Sequence, residues 1–174
     1  MTGFSSVHNG GANARSARGS GGLTATAGGA GDNTVANANW VSRKDDRNKG
    51  IALSVKLIVS YSAVLAAAAT LKFAVNFQDA TDGAGTGAAQ YPVGESVATT
   101  TAAIGPAGGG TVSGTFEVDM DLAGAREFIR AQVTPDLSAG ATDTLSFHMD
   151  YVFFGEQRGP TTKSPVNLGS PDLI

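Results

Sequence analysis

The 174-residue chain has no cysteine, two histidines and one tryptophan. Without cysteine there is no disulfide framework, no thiolate metal site and no cysteine nucleophile. Two histidines, His8 and His148, leave little material for acid–base or metal chemistry at neutral pH. No window approaches ~18 consecutive apolar residues, so no transmembrane helix is expected. Charged residues make up only 16% of the chain, and the net charge is −3. Hydrophobic residues reach 41%, against a usual level of roughly 45–50%. Alanine supplies much of that, and it buries little area. The expected core is therefore modest, and no cofactor, metal or catalytic machinery is expected.

What is abundant is glycine, with 24 residues. Nine of these lie within residues 1–31, where Phe4, Val7 and Leu23 are the main large apolar residues. Such a stretch buries too little apolar surface to offset the entropy of ordering it. Residues 1–36 are therefore read as an extended Gly/Ala-rich arm. The segment lacks the basic start and the apolar run of a signal peptide. Charge is divided along the chain. Residues 1–50 carry a net +3 and residues 51–160 a net −6. A weakly basic arm on an acidic body lacks the dense basic patch of a nucleic-acid binder.

From residue 51 the pattern has period two. Ile51, Leu53, Val55, Leu57 and Val59 alternate with Ala52, Ser54, Lys56 and Ile58. Leu71 to Phe77 alternates against Lys72, Ala74, Asn76 and Gln78. Val112 to Met120 alternates against Thr111, Ser113, Thr115, Glu117, Asp119 and Asp121. Ile129, Ala131 and Val133 alternate with Phe128, Arg130 and Gln132 up to Pro135. Leu145 to Phe153 alternates up to Gly155, and Val97 to Ile104 is a weaker, Thr-rich strand. The Ala-rich Ser62–Ala69 stretch is too short for an independent helix and reads as a loop or single turn. Gly- and Pro-rich connections follow Asp79, Gly105 and Pro135. No amphipathic helix of ~10 residues links the strands, which disfavours a parallel βαβ sheet. The expected fold is all-β: an antiparallel β-sandwich or jelly roll over residues 37–160. Three prolines between residues 160 and 171 suggest an extended C-terminal arm over 161–174.

Candidate chemical sites are sparse. The Gly83-Ala84-Gly85-Thr86-Gly87 run opens no helix, so it lacks a dinucleotide-binding context. Asp79 and Asp82 have only part of the ligand spacing of a calcium loop. Glu117, Asp119 and Asp121 share one strand face, ~7 Å apart along the chain. They suit a solvated face, or an edge guarded by charge, better than paired acid–base work. His148 and Asp150 share another strand face without a nucleophile elbow. The residues best suited to meeting a partner are Phe4, Arg15, Arg18, Leu23, Trp40, Arg43, Arg126, Phe128 and Arg130. Trp40 is either an anchor into the body or a contact hot spot. Arg126 and Arg130 suit an interface or internal pairing with Glu117, Asp119 or Asp121.

The segment from Ala125 through Arg126-Glu127-Phe128-Ile129-Arg130 and Thr134-Pro135-Asp136-Leu137 to Asp143-Thr144, with its strand closing on Phe154-Gly155, resembles capsid decoration (cement) proteins of tailed bacteriophages. The strand and glycine loop from Leu71 to Gly83 fit the same resemblance, which covers roughly residues 37–160. It implies a non-enzymatic structural protein of the virion, assembled in the host cytoplasm and seated on the outer surface of the icosahedral head. Its partners would be the major capsid protein and further copies of itself, as a dimer or trimer at a symmetry axis. No nucleic-acid or membrane partner and no cofactor are implied. Other virion parts (tail, fibre or head–tail connector) and a carbohydrate-binding module using Tyr91 and Trp40 are the alternative readings.

Overall fold

The computed structural model describes residues 14–45, 50–94, 97–138, 142–155 and 157–158. The strands in chain order are β1 (Ala14–Arg18), β2 (Leu23–Thr26), β3 (Ala36–Asn37), β4 (Val41–Ser42), β5 (Lys44–Asp45), β6 (Gly50–Ile51), β7 (Ser54–Leu65), β8 (Thr70–Ala80), β9 (Ala89–Gln90), β10 (Val97–Ile104), β11 (Gly110–Asp121), β12 (Phe128–Leu137), β13 (Thr144–Phe154) and β14 (Gln157–Arg158). They form two antiparallel sheets packed as a β-sandwich, with no helix among the described residues. The first sheet runs β1-β13-β7-β11, with β2 also on β13. The second runs β10-β8-β12-β3, with β4 on β12 and β9 on β8. A small ladder joins β14, β6 and β5.

Period-two patterning builds the core. Val55, Leu57, Val59, Leu145, Phe147, Met149, Tyr151 and Phe153 point inward from the first sheet. Leu71, Phe73, Val75, Phe77, Ile129, Ala131 and Val133 answer from the second. Phe73, fully buried, is the hub. Its ring centroid lies 5.9 Å from Tyr61, 5.7 Å from Phe116 and 5.8 Å from Phe147, all three contributed by the opposite sheet. A hydrogen bond also crosses between the layers. The Ala131 N–H donates to the Tyr151 hydroxyl at 2.6 Å, in the gap between β3 and β4 on the β12 edge. Burial raises the Tyr151 phenol well above its ordinary value.

Four expectations are corrected. Residues 14–26, placed in an arm by composition, are two strands of the first sheet. Arg15 pairs with Phe153 and Leu23 with Phe147, while Ala25 and Ala27 are buried. Their order comes from backbone bonds to β13, which composition does not display. Gly19 and Ser20 N–H groups both donate to the Met149 carbonyl where the chain passes from β1 to β2. Ser62 to Leu65 continue β7 instead of forming a turn, because they pair with β11 and β13. The first long strand starts at Ser54: Ala52 is buried and Leu53 is 38% exposed, so the alternation from Ile51 breaks there. Pro135 lies within β12, where its missing N–H faces an edge. The 161–174 segment, Phe4 and His8 lie outside the described residues.

Candidate partner surface

Four of the nine candidate residues gather on the outer side of the second sheet. Arg126 lies just before β12, while Phe128 and Arg130 alternate outward along it against buried Ile129 and Ala131. Trp40 enters from the turn before β4. The loop after β8 folds over them. Gly83 lies against the Phe128 ring, and Gly85 lies so close to the Trp40 indole that a Cβ would come within 2.5 Å of Nε1. Gly85 also has φ +84°, so glycine is required twice over. Arg130 stacks 4.6 Å over Trp40, and its Nε donates to Gln78 at 2.8 Å. Trp40 is thus half-buried with one face covered, as an anchor would be. The open aromatic platform expected of a carbohydrate module is not found at this ring. The other aromatic candidate, Tyr91, accepts the Gly124 N–H through its hydroxyl at 3.1 Å.

Arg126 is the clamp of this corner. Its Nε donates to Asp79 Oδ1 at 3.0 Å and its Nη2 to the same oxygen at 2.5 Å. Its backbone N–H reaches Asp79 Oδ2 at 2.9 Å, and Nη1 reaches the Gly87 carbonyl at 2.7 Å. Desolvation pushes the buried Asp79 carboxyl up. The Arg126 side-chain and backbone donors outweigh it and hold the carboxyl below its ordinary value. Arg126 therefore pairs internally, but with Asp79. The three acids of β11 belong to the opposite sheet. Asp82 Oδ1 accepts the Ala84 and Thr86 N–H groups, both at 3.0 Å, and shapes the same loop. The two carboxylates considered for a cation thus serve N–H donors.

The remaining candidates part company. Arg15 points between the sheets, 4.4 Å over the Phe153 ring, and its Nη2 donates to the Ser42 carbonyl at 2.8 Å. Leu23 is half-buried on the inner face, packed on the core. Arg43 donates to the Leu122 carbonyl. Arg18 alone is exposed on the outer face of the first sheet, in register with Asp150.

That outer face carries a surface the residue-by-residue reading missed. Three cross-strand rows run Thr26–Thr144–Val64–Thr111, Thr24–Ser146–Ser62–Ser113 and His148–Ser60–Thr115. Nine of the eleven side chains are hydroxyls, and all but the half-buried Ser60 are exposed. The grid spans about 14 Å across the strands and about 13 Å along them. Ser113 Oγ donates to Ser62 Oγ at 3.1 Å. His148 Nε2 lies 3.5 Å from Asp150 Oδ2, both on this open face. Beyond the grid, Lys56 meets Glu117 at 2.7 Å and Asp119 at 3.6 Å. The bond to Glu117 is the main reason the Lys56 ammonium is held above its ordinary value. The signal in the sequence was Thr or Ser at alternating positions in four segments. Their coplanarity follows only from register.

No protein-family model matches the chain, and no curated protein matches its sequence.

Proposed function

We propose that the chain is a structural protein of a virion, a decoration protein that lies on the outer surface of an icosahedral head across major capsid subunits. The observation that carries this reading is the exposed hydroxyl grid of the first sheet. Short Ser and Thr side chains lose little rotamer freedom on contact, and each offers a donor and an acceptor to a flat protein neighbour. The Arg126–Asp79 clamp and the Phe73 hub back the sheets with a rigid body, so docking needs little reordering. The grid alone is far smaller than the ~800 Å² per partner of a standard interface. Avidity from several copies, and further contacts by residues 1–13 and 161–174, supply the rest.

Electron cryomicroscopy of heads assembled with and without the chain tests this. Density for the sandwich on the outer shell, present only with the chain, is expected. Removing residues 1–13 lowers occupancy while the body stays folded. Density in a tail, fibre or connector ring instead moves the protein to another virion part, and no association with particles overturns the reading.

A further inference from the structure

A β-sandwich has four open edges, and three of those here are blunted. On one side of the first sheet, β1 and β2 are short and separated at residues 19–22. On the corresponding side of the second, β3 and β4 have two residues each. On the other side, β10 carries two breaks in its register with β8. Shortness and bulges of this kind keep edges from pairing with other chains. The fourth edge, β11, is different. It is twelve residues long, contains no proline, pairs with β7 without a register break, and among the described residues has no strand on its outer side.

We propose that β11 is the pairing edge of a two-fold dimer, in which Thr115 faces Thr115 of a second copy. The residue pattern narrows the register. Antiparallel pairing centred on Thr115 puts Ser113 opposite Glu117 and Thr111 opposite Asp119, hydroxyl against carboxylate, with Thr115 against itself; a centre on Phe116 also avoids like charges but sets Phe116 against Phe116. Moving the centre to Glu117 or Val118 sets carboxylate against carboxylate, which is destabilising. A one-residue slip would set the inner face of one copy against the outer face of the other. On the inner face, the same register places Val112 opposite Val118 and Phe116 opposite Gly114. An aromatic side chain directly across from a glycine meets no opposing side chain on the paired strand, which favours this register over one that sets Phe116 against Phe116. Phe116, Val112 and Met120 are only half-buried in one copy, and a paired strand covers them. The acids of β11 occupy only its second half. They therefore exclude registers centred at Glu117 or beyond without forbidding the pairing. This inference concerns the isolated protein and stands without the capsid reading.

The absence of cysteine makes the test direct. Directly opposed antiparallel residues have Cα atoms about 4.5–5.5 Å apart, within disulfide range. The variant Thr115→Cys is expected to give a covalent dimer on mild oxidation. Thr111→Cys, whose opposite residue is Asp119, gives none. In sedimentation at about 100 μM, the unmodified full chain runs at twice its monomer mass. Ser113→Glu, which sets like charge against Glu117, weakens the dimer at least about tenfold, whereas Ser113→Lys preserves it. Both Ser113 variants sit on the exposed face, and circular dichroism checks that they fold. A monomer throughout the concentration range overturns the proposal. So does equal cross-linking at both cysteine positions, or equal weakening by both charges.

Discussion

Asp79 shows how one buried carboxylate organises a corner of the molecule. It faces four donor contacts from Arg126, counting the bond from Nη2 to its own carbonyl at 2.7 Å, and its partner also holds Gly87. Asp79→Ala leaves the guanidinium without its carboxylate. Arg126 is about one-third exposed, so water recovers part of the loss. The expected cost is about 1–3 kcal/mol in urea denaturation, with faster amide exchange at residues 84–88. Because Arg126 holds the folded-state pKa of Asp79 below its unfolded value of about 3.9, the pair contributes fully above that pH. The contribution is lost as pH falls through the folded value. Asp79→Asn is expected to flatten the acid limb of stability against pH, measured by urea midpoints from about pH 6 to pH 2. An unchanged acid limb would show that other carboxylates carry it.

Elements are held here as much by their neighbours as by their own composition. β1 and β2 contain one large apolar residue between them, Leu23, yet they close the β13 edge above Phe147, Tyr151 and Phe153. Removing residues 1–13 is expected to leave the melting temperature almost unchanged. Removing residues 1–26 uncovers the β13 edge, takes Ala25 from the core and removes the Arg15 cover over Phe153. The expected loss is about 5 kcal/mol or more, enough to unfold a marginal domain. Thermal melts of the two truncations separate these outcomes, and equal stability would return residues 14–26 to the status of an arm. β11 illustrates a second kind of dependence. Gly114 lies under Tyr61, whose hydroxyl is 2.8 Å from where a Cβ would stand and donates to the Ala102 carbonyl on β10 at 2.8 Å. That bond ties the two sheets together beside the edge.

At the scale of the whole molecule, the two layers meet through a continuous core of large side chains, and Phe73 touches three of its aromatics. Phe73→Ala is expected to cost about 3–5 kcal/mol in equilibrium denaturation, because the rings of Tyr61, Phe116 and Phe147 cannot all collapse into the space. A loss below about 1 kcal/mol would mean that the layers close without this hub. Composition suggests a modest core; the structure instead buries large side chains from both sheets in one cluster, cross-braced by the Tyr151 hydroxyl. It leaves two outer faces, one of hydroxyls and one where Arg130, Trp40 and the glycine loop pack together.

Alternation at Val55–Val59, Leu71–Phe77, Val112–Met120, Ile129–Val133 and Leu145–Phe153 determined the all-β class and most of the inward residues. Side-chain polarity at period two has no other stable solution than a sheet with one face buried. Other features had no local signature. The ordering of residues 14–26 depends on backbone donors and acceptors supplied by β13. The pairing of Arg126 with Asp79, 47 residues away, depends on β8 and β12 being neighbours. The hydroxyl grid and the open edge of β11 depend on register and strand order. Sequence fixes what each residue prefers nearby. Which polar groups meet, which edge stays open and which side chains share a face are long-range properties, and only the pairing and packing of the two sheets decide them.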